Sequence, residues 1–313
     1  MSIKKILLFI LVLIMAGILI NYVYLYFPGE LKELVLQGTI GGLPTVDENV
    51  SYSVSQFCPN MRFNHNNLTY NIDNACSEDK TLKMEKAFDT LSSRTGIITF
   101  EESPLKGTDI IVICSMDKKQ KNQNTFITGE GGPSKFLNLE FYPLIIEGEI
   151  ILYEDLYTVK CSEPVIEIHE LLHVFGYDHI NNKSSVLYPY FSCEQTLGDK
   201  VVDDMVRLYS LDPLAELYFG NVSAEKSGIY LNFDVEISNH GLIDAEEVDL
   251  IVYGDNRLVK EFPLDPIGVG ATTTFSIENL KLRSRGTKEI TLEISSETEE
   301  YGLVTNVVKL KTN

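Results

Sequence analysis

The chain has 313 residues, is 44% hydrophobic and 23% charged, and carries a formal net charge of −19 at pH 7. That length allows two domains plus appendages. The acidity argues against nucleic acid as a partner, because phosphate binding needs a basic face.

Residues 1–27 predict a transmembrane signal anchor. Lys4 and Lys5 precede residues 6–26, an uncharged run of 21 that is long enough to span a bilayer core. The alternative is a cleaved signal peptide. That needs a small-x-small site after a shorter apolar run, and residues 21–28 (NYVYLYFP) contain no small residue. Tyr22, Tyr24 and Tyr26 suit a membrane–water interface, and the two lysines on the short side place the bulk of the chain outside the cell. Residues 28–50 hold Gly and Pro with no sustained period and read as a juxtamembrane linker.

From Ser51 a mixed α/β pattern begins, and residues 51–213 read as one domain. Residues 61–72 predict a strand or hairpin, with Leu68, Tyr70 and Ile72 alternating. Ser77 or Asp79 can cap a helix running to about Arg94, with Leu82, Ala87, Phe88 and Leu91 on its apolar side. Residues 97–100 and 109–115 predict two more strands, the second apolar enough for a buried parallel position. Residues 118–143 are polar and Gly-rich and read as a long surface loop, followed by a strand at 149–153. Ser162 is a candidate cap, and Pro164 a first-turn residue, for the helix that comes next.

That helix carries HELLHVFGYDH at 169–179. His169 and His173 lie four positions apart, so both rings project from one helical face and can present two imidazoles to one Zn²⁺. Glu170 sits about 100° round the helix, where a carboxylate can take a proton from an attacking water. Gly176 can adopt a positive φ, end the helix and turn the chain so that His179 closes the site. Three of the chain's five histidines fall within these eleven residues.

HELLHVFGYDH resembles the extended zinc motif HExxHxxGxxH of the metzincin metalloproteases. Residues 184–190 (SSVLYPY) resemble the matrixin form of the Met-turn, S-x-M-Y-P, with Leu187 in place of Met; Leu is close to Met in volume, so the apolar floor beneath the metal should survive. The resemblance implies a twisted mixed sheet with a zinc helix. It also implies an edge strand near 149–153 with which substrate pairs as an added strand. Leu187, Tyr188 and Pro189 would wall the pocket for the side chain just past the cut. Residues 197–209 resemble the terminal matrixin helix, and Asp203 and Asp204 match paired acids that brace the turn from behind.

Five cysteines in an exported domain suggest two disulfides and one left over. If the first and third strands run parallel and adjacent as in the family's sheet, Cys76 meets Cys114, while a Cys161–Cys193 bridge would clamp both sides of the site. Cys58 remains; PRCGVPD, in which matrixin propeptides present a thiolate to zinc, is absent. Acidic positions at 147–149 and Asp199 could donate oxygens to Ca²⁺, although such charges are more often a solvated face.

Residues 214–313 change character. Strand-like runs recur at 229–238, 247–253, 258–263, 272–280, 287–294 and 304–310, separated by turn signals such as Asn239-His240-Gly241. They predict an all-β immunoglobulin-like sandwich, and residues 235–255 weakly resemble adhesion-related repeats of prokaryotic surface proteins. Asn49, Asn67, Asn182 and Asn221 each begin an N-x-S/T triplet. The expected function is hydrolysis of peptide bonds in a polypeptide substrate outside the cell, with Glu170 as general base. The alternative is a membrane-anchored adhesion or scaffold protein whose zinc domain binds without cutting.

Overall fold

The computed structural model describes residues 3–26, 31–36, 54–104, 107–116, 120–122, 125–139, 142–154, 161–302 and 306–312. In chain order they form α1 (Ile3–Tyr26), β1 (Leu31–Leu36), β2 (Asn67–Ile72), α2 (Glu78–Thr95), β3 (Thr99–Glu102) and β4 (Ile110–Ser115). Next come β5 (Gln120–Asn122), β6 (Thr125–Phe126), β7 (Gly129–Leu137), β8 (Leu144–Tyr153), α3 (Val165–Val174) and α4 (Asp199–Tyr209). The remainder is β9 (Leu217–Ser227), β10 (Tyr230–Asn239), β11 (Val248–Gly254), β12 (Arg257–Leu264), β13 (Thr272–Lys281), β14 (Glu289–Ser296) and β15 (Val307–Thr312). Two units divide the chain, Val46–Pro213 and Met1–Thr45 with Leu214–Asn313.

In the first unit a five-stranded mixed sheet runs in the order β3-β2-β4-β8-β7, with only β7 antiparallel to its neighbour. The core follows from the sequence pattern. Ile110 and Val112 of β4 and Ile150 and Leu152 of β8 bury against Met84, Ala87, Phe88 and Leu91 of α2 and Leu171, Leu172 and Val174 of α3. α2 begins where Ser77 accepts a hydrogen bond from the Lys80 N–H, and ends at Gly96, whose left-handed φ of 67° lets its N–H reach the Ser92 carbonyl.

Several expectations need correcting. The first strand covers only 67–72 of the predicted 61–72. The preceding Met61, Arg62 and Phe63 are buried without being part of it. There Arg62 donates to the carbonyls of Phe63, Leu208 and Leu211, satisfying the end of α4. The stretch 118–143 is not one long loop. It holds β7, a nine-residue strand that forms the sheet's edge beside β8. The edge is therefore β7, and the strand at 149–153 is an inner one. The zinc helix begins at Pro164 without the side-chain cap expected of Ser162, and the last helix starts at Asp199, not 197.

Asp109, just before β4, ties that strand to β2. Its carboxylate accepts from the Thr69 N–H at 2.6 Å and the Thr69 hydroxyl at 2.7 Å, and lies 3.2 Å from His65 Nε2. Burial works against the charge, yet the bonds from His65 and Thr69 outweigh it and hold the carboxyl below its ordinary value. A depressed folded-state pKa contributes stability above the unfolded-state value of about 4, and that stability is lost as pH falls through the folded value. Thermal melts should show a falling Tm below about pH 4, part of which Asp109→Asn removes. A mutant profile parallel to wild type would take Asp109 out of the acid response.

The second unit is built from eight antiparallel strands in the order β12-β11-β14-β15-β1-β9-β10-β13. Of the region expected to be a linker, 31–36 is instead β1 in the middle of this order, and the rest of 28–50, with Asn49, lies outside the described residues. Leu31, Lys32 and Glu33 oppose Ser227, Lys226 and Glu225 of β9, whereas Leu34, Val35 and Leu36 oppose Thr312, Lys311 and Leu310 of β15. One short strand thus joins what would be two sheets. Strand β9, absent from the sequence reading, supplies the other neighbour. The end strands approach through Phe262 and Phe275, with ring centroids 5.3 Å apart, so the arrangement is close to a barrel and the pairing does not confirm the immunoglobulin-like sandwich. Alternating residues of β10 and β11, among them Leu231, Phe233, Val235, Leu250 and Val252, fill its core.

Helix α1 contains 4–24, a 21-residue stretch long and apolar enough to cross a membrane, with none of it buried. Its composition fits a membrane span or a signal sequence.

Candidate metal centre and active site

Helix α3 lies across the sheet and places His169 and His173 one turn apart. Gly176, with φ of 82°, turns the chain out of the helix, and its missing side chain leaves room for Met61, whose Sδ would lie 2.8 Å from an added Cβ. Three residues later His179 returns to the other rings. The three Nε2 atoms lie 2.9 Å (His169–His173), 3.2 Å (His173–His179) and 3.2 Å (His169–His179) apart. Tetrahedral zinc with bonds of about 2.0–2.1 Å needs nitrogens about 3.3 Å apart, so the donor set fits that ion.

The other ring nitrogens decide the tautomers. His169 Nδ1 is 2.5 Å from the Val186 carbonyl and His173 Nδ1 is 2.6 Å from the Tyr177 carbonyl. A carbonyl only accepts, so each Nδ1 must carry the proton and each of these Nε2 atoms presents a lone pair. Two facing lone pairs cannot hydrogen-bond to each other; a cation between them removes the conflict. Burial first, and then the His169 ring, push His173 down to about 4, and burial likewise lowers His169. Both rings are neutral at physiological pH, the form a metal ligand needs.

The carbonyl groups that orient the rings are backbone features with no side-chain signature. Val186 belongs to the turn at 184–190, where Leu187 is fully buried in the core and, unlike Tyr188 and Pro189, does not wall the cleft over the histidines. Tyr177 is held in turn by α4, because its hydroxyl donates to Asp204 Oδ2 at 3.0 Å while Arg207 binds Asp204 Oδ1 at 2.8 Å. Asp204 therefore supports the metal loop. Asp203 is exposed.

Glu170 faces the edge strand. Its carboxylate accepts from the Gly131 N–H, and burial, followed by the charges of Glu130 and Glu167, pushes it up to about 8. Helix and strand meet closely because β7 has glycines there. A Cβ on Gly131 would lie 2.1 Å from the Glu170 carbonyl oxygen, and one on Gly129 would lie 2.7 Å from Glu170 Cγ. In sequence these glycines read as loop formers. Their spacing, one on every second residue, is a strand signal with one face reserved for a close neighbour.

A cleft of about 480 Å³ opens over the three histidines and Glu170, bounded by β7 at Gly129–Gly131 and by Tyr188, Pro189, Tyr190 and Phe191. Phe57, which the sequence reading passed over, also lines it and stacks on the His173 ring at 5.8 Å. The segment bearing it is held by the Phe57 N–H to the Gly176 carbonyl and the Asp178 N–H to the Ser55 carbonyl, each 2.8 Å.

Cys76 is joined to Cys114, with Cα atoms 4.9 Å apart, and Cys161 to Cys193 at 5.3 Å, on either side of α3 and the 184–190 turn; Cys58 is a half-buried free thiol. Two of the acids considered for calcium are paired with cations, Glu147 with Lys135 at 2.8 Å and Asp199 with Arg94 at 2.7 Å.

The matrixin family model matches residues 62–211. No curated protein matches the chain. With the histidine cluster, the matched segment and the mixed sheet in agreement, this chain carries, over residues 62–211, a zinc metallopeptidase domain of the matrixin family.

Proposed function

We infer that the protein is a membrane-anchored endopeptidase that cuts polypeptides outside the cell, with His169, His173 and His179 as zinc ligands and Glu170 as general base. The observation that carries this reading is the convergence of three Nε2 atoms within 3.2 Å beside a buried carboxylate in an open cleft. When bound, zinc would lower the pKa of an attacking water and polarise the scissile carbonyl. The chain's own groups do the rest. Glu170, held by the Gly131 N–H and favoured in its charged form once a cation sits beside it, takes the water's proton and passes it to the departing amine nitrogen. Tyr188 and Pro189 line the cleft where a substrate side chain would lodge. The Cys161–Cys193 bridge limits the spread of the elements on either side of that cleft.

The helix α1 would serve as the anchor, with Lys4 and Lys5 inside and both units outside, a setting in which two disulfides persist. Zinc removal provides the test. Dialysis of the full chain against a strong chelator should abolish cleavage of an unstructured protein substrate, and one equivalent of Zn²⁺ should restore it. His173→Ala should retain less than a tenth of the bound zinc at sub-micromolar free metal. Cleavage that persists in the metal-free protein would sink the reading.

A further inference from the structure

One end of the β unit is unlike the rest of this acidic protein. At that end β1 begins, β9 turns into β10 and β13 runs out, since Leu31 opposes Ser227, Ser227 opposes Tyr230 and Tyr230 opposes Lys281. Lys32 opposes Lys226 on the next rung. The segment after β13, residues 281–288, reads KLRSRGTK and holds four cations and no acid, in a chain whose net charge is −19. Leu282 pins it, buried and with its N–H bonded to the Ile229 carbonyl, so Lys281 and Arg283 on either side are exposed. Arg285 is set differently. Its guanidinium lies 5.0 Å from the Tyr24 ring of α1 and donates to the Tyr24 carbonyl, while its own carbonyl accepts from Lys226 Nζ at 2.8 Å. Burial, then Lys32 and Arg285, lower the Lys226 pKa, as expected of cations crowded together. Asp255 is an acid that acts on Lys226, and it accepts from the N–H groups of Lys288 and Glu289 at 3.0 and 3.1 Å. Glu33 and Glu225 oppose each other one rung further along.

The Lys32–Lys226 rung sets two cations directly opposite each other, which is unfavourable and is relieved by an anionic neighbour. The position of this end indicates what that is. From Tyr26 to Leu31 there are five Cα steps, at most about 18 Å, and Leu31 at the start of β1 is 61% exposed. With α1 in a bilayer, these residues lie within reach of the headgroup layer.

We propose that this end of the β unit, formed by Lys32, Lys281, Arg283 and Arg285 with the buried Lys226 behind them, docks on anionic lipid headgroups, so that the β unit rests on the membrane instead of swinging from it. This rests on α1 being a membrane anchor. Charge complementarity supports the choice of occupant, since juxtamembrane cations are drawn to anionic surfaces within about a Debye length. The strand β1 makes the contact rigid, because the chain leaving the membrane enters the middle of the sheet without a long tether.

The test uses the full chain in nanodiscs of purely zwitterionic lipid or with half the lipid replaced by phosphatidylglycerol, read by hydrogen–deuterium exchange. At low salt the amides of 283–286 and Gly228 should exchange at least fivefold more slowly in the anionic discs. That difference should vanish at 0.5 M NaCl and in Lys32→Gln/Arg283→Gln/Arg285→Gln. Exchange in β10 and β11 should be unchanged throughout, which shows that the variant is folded. Incorporation into both discs with equal exchange at low salt overturns the docking surface and leaves the anchor standing. Failure to enter either disc overturns both.

Discussion

Glu170→Ala should lose at least a hundredfold in kcat/KM on a peptide substrate while keeping one zinc per chain. The two halves of this expectation come from different observations. Glu170 is only 4% exposed and its carboxylate is held by the Gly131 N–H, beside the cleft but outside the set of three converging nitrogens. A positioned general base is worth about 10²–10⁴ in rate, whereas the ligands and the carbonyls of Val186 and Tyr177 that orient them are untouched. Glu170→Gln, which preserves shape but not basicity, should lose as much. Steady-state kinetics with metal analysis by mass spectrometry checks both. A variant that cuts at the wild-type rate would assign the proton transfer elsewhere, and one that loses zinc as well would make Glu170 a structural residue.

The second large effect concerns a residue with no side chain. Gly131→Ala would place a methyl 2.1 Å from the Glu170 carbonyl oxygen and 2.8 Å from its Cα, both helix backbone atoms that cannot rotate away. Either β7 or α3 must shift by about an ångström, and misplacement on that scale costs about a hundredfold in activity. Overpacking of this kind also destabilises by about 1–3 kcal/mol. The neighbouring Gly132 is the control, because a Cβ there meets nothing within 4 Å. Gly132→Ala should therefore match wild type in Tm and kcat/KM, and Gly131→Ala should fall in both. Equal behaviour of the two variants would show that the strand and helix are not held as closely as this geometry requires.

The zinc loop was legible because side-chain chemistry and backbone demand coincide in a few residues. His169 and His173 share a helical face by spacing alone, and Gly176 is needed for a positive φ that the structure has at 82°. The extent of α2 was nearly as plain, with Ser77 one of two candidate caps and the expected end at about Arg94 close to the Gly96 that stops it. The edge strand was not legible. Gly129, Gly131 and Gly132 look like turn formers in one dimension; only the approach of α3 explains two of them. Likewise Asp203 and Asp204 are adjacent and chemically identical, and it is the position of Tyr177 that selects Asp204.

What the sequence by itself determined is local. It set the helix that pairs two imidazoles, the turn that brings the third, the acid beside them and the apolar run of 6–26, because each depends on residues within one or two helical turns or on uninterrupted apolar composition. Tertiary structure alone decided the partners across distance. It made β7 the edge, put the carbonyls of Val186 and Tyr177 behind the histidines, and drew Leu31–Leu36 out of an expected linker into the centre of an eight-stranded order. The physical reason is the same in each case. A backbone carbonyl, a bare Cα or a six-residue strand has no pattern of its own, and acquires its role only from what packs against it.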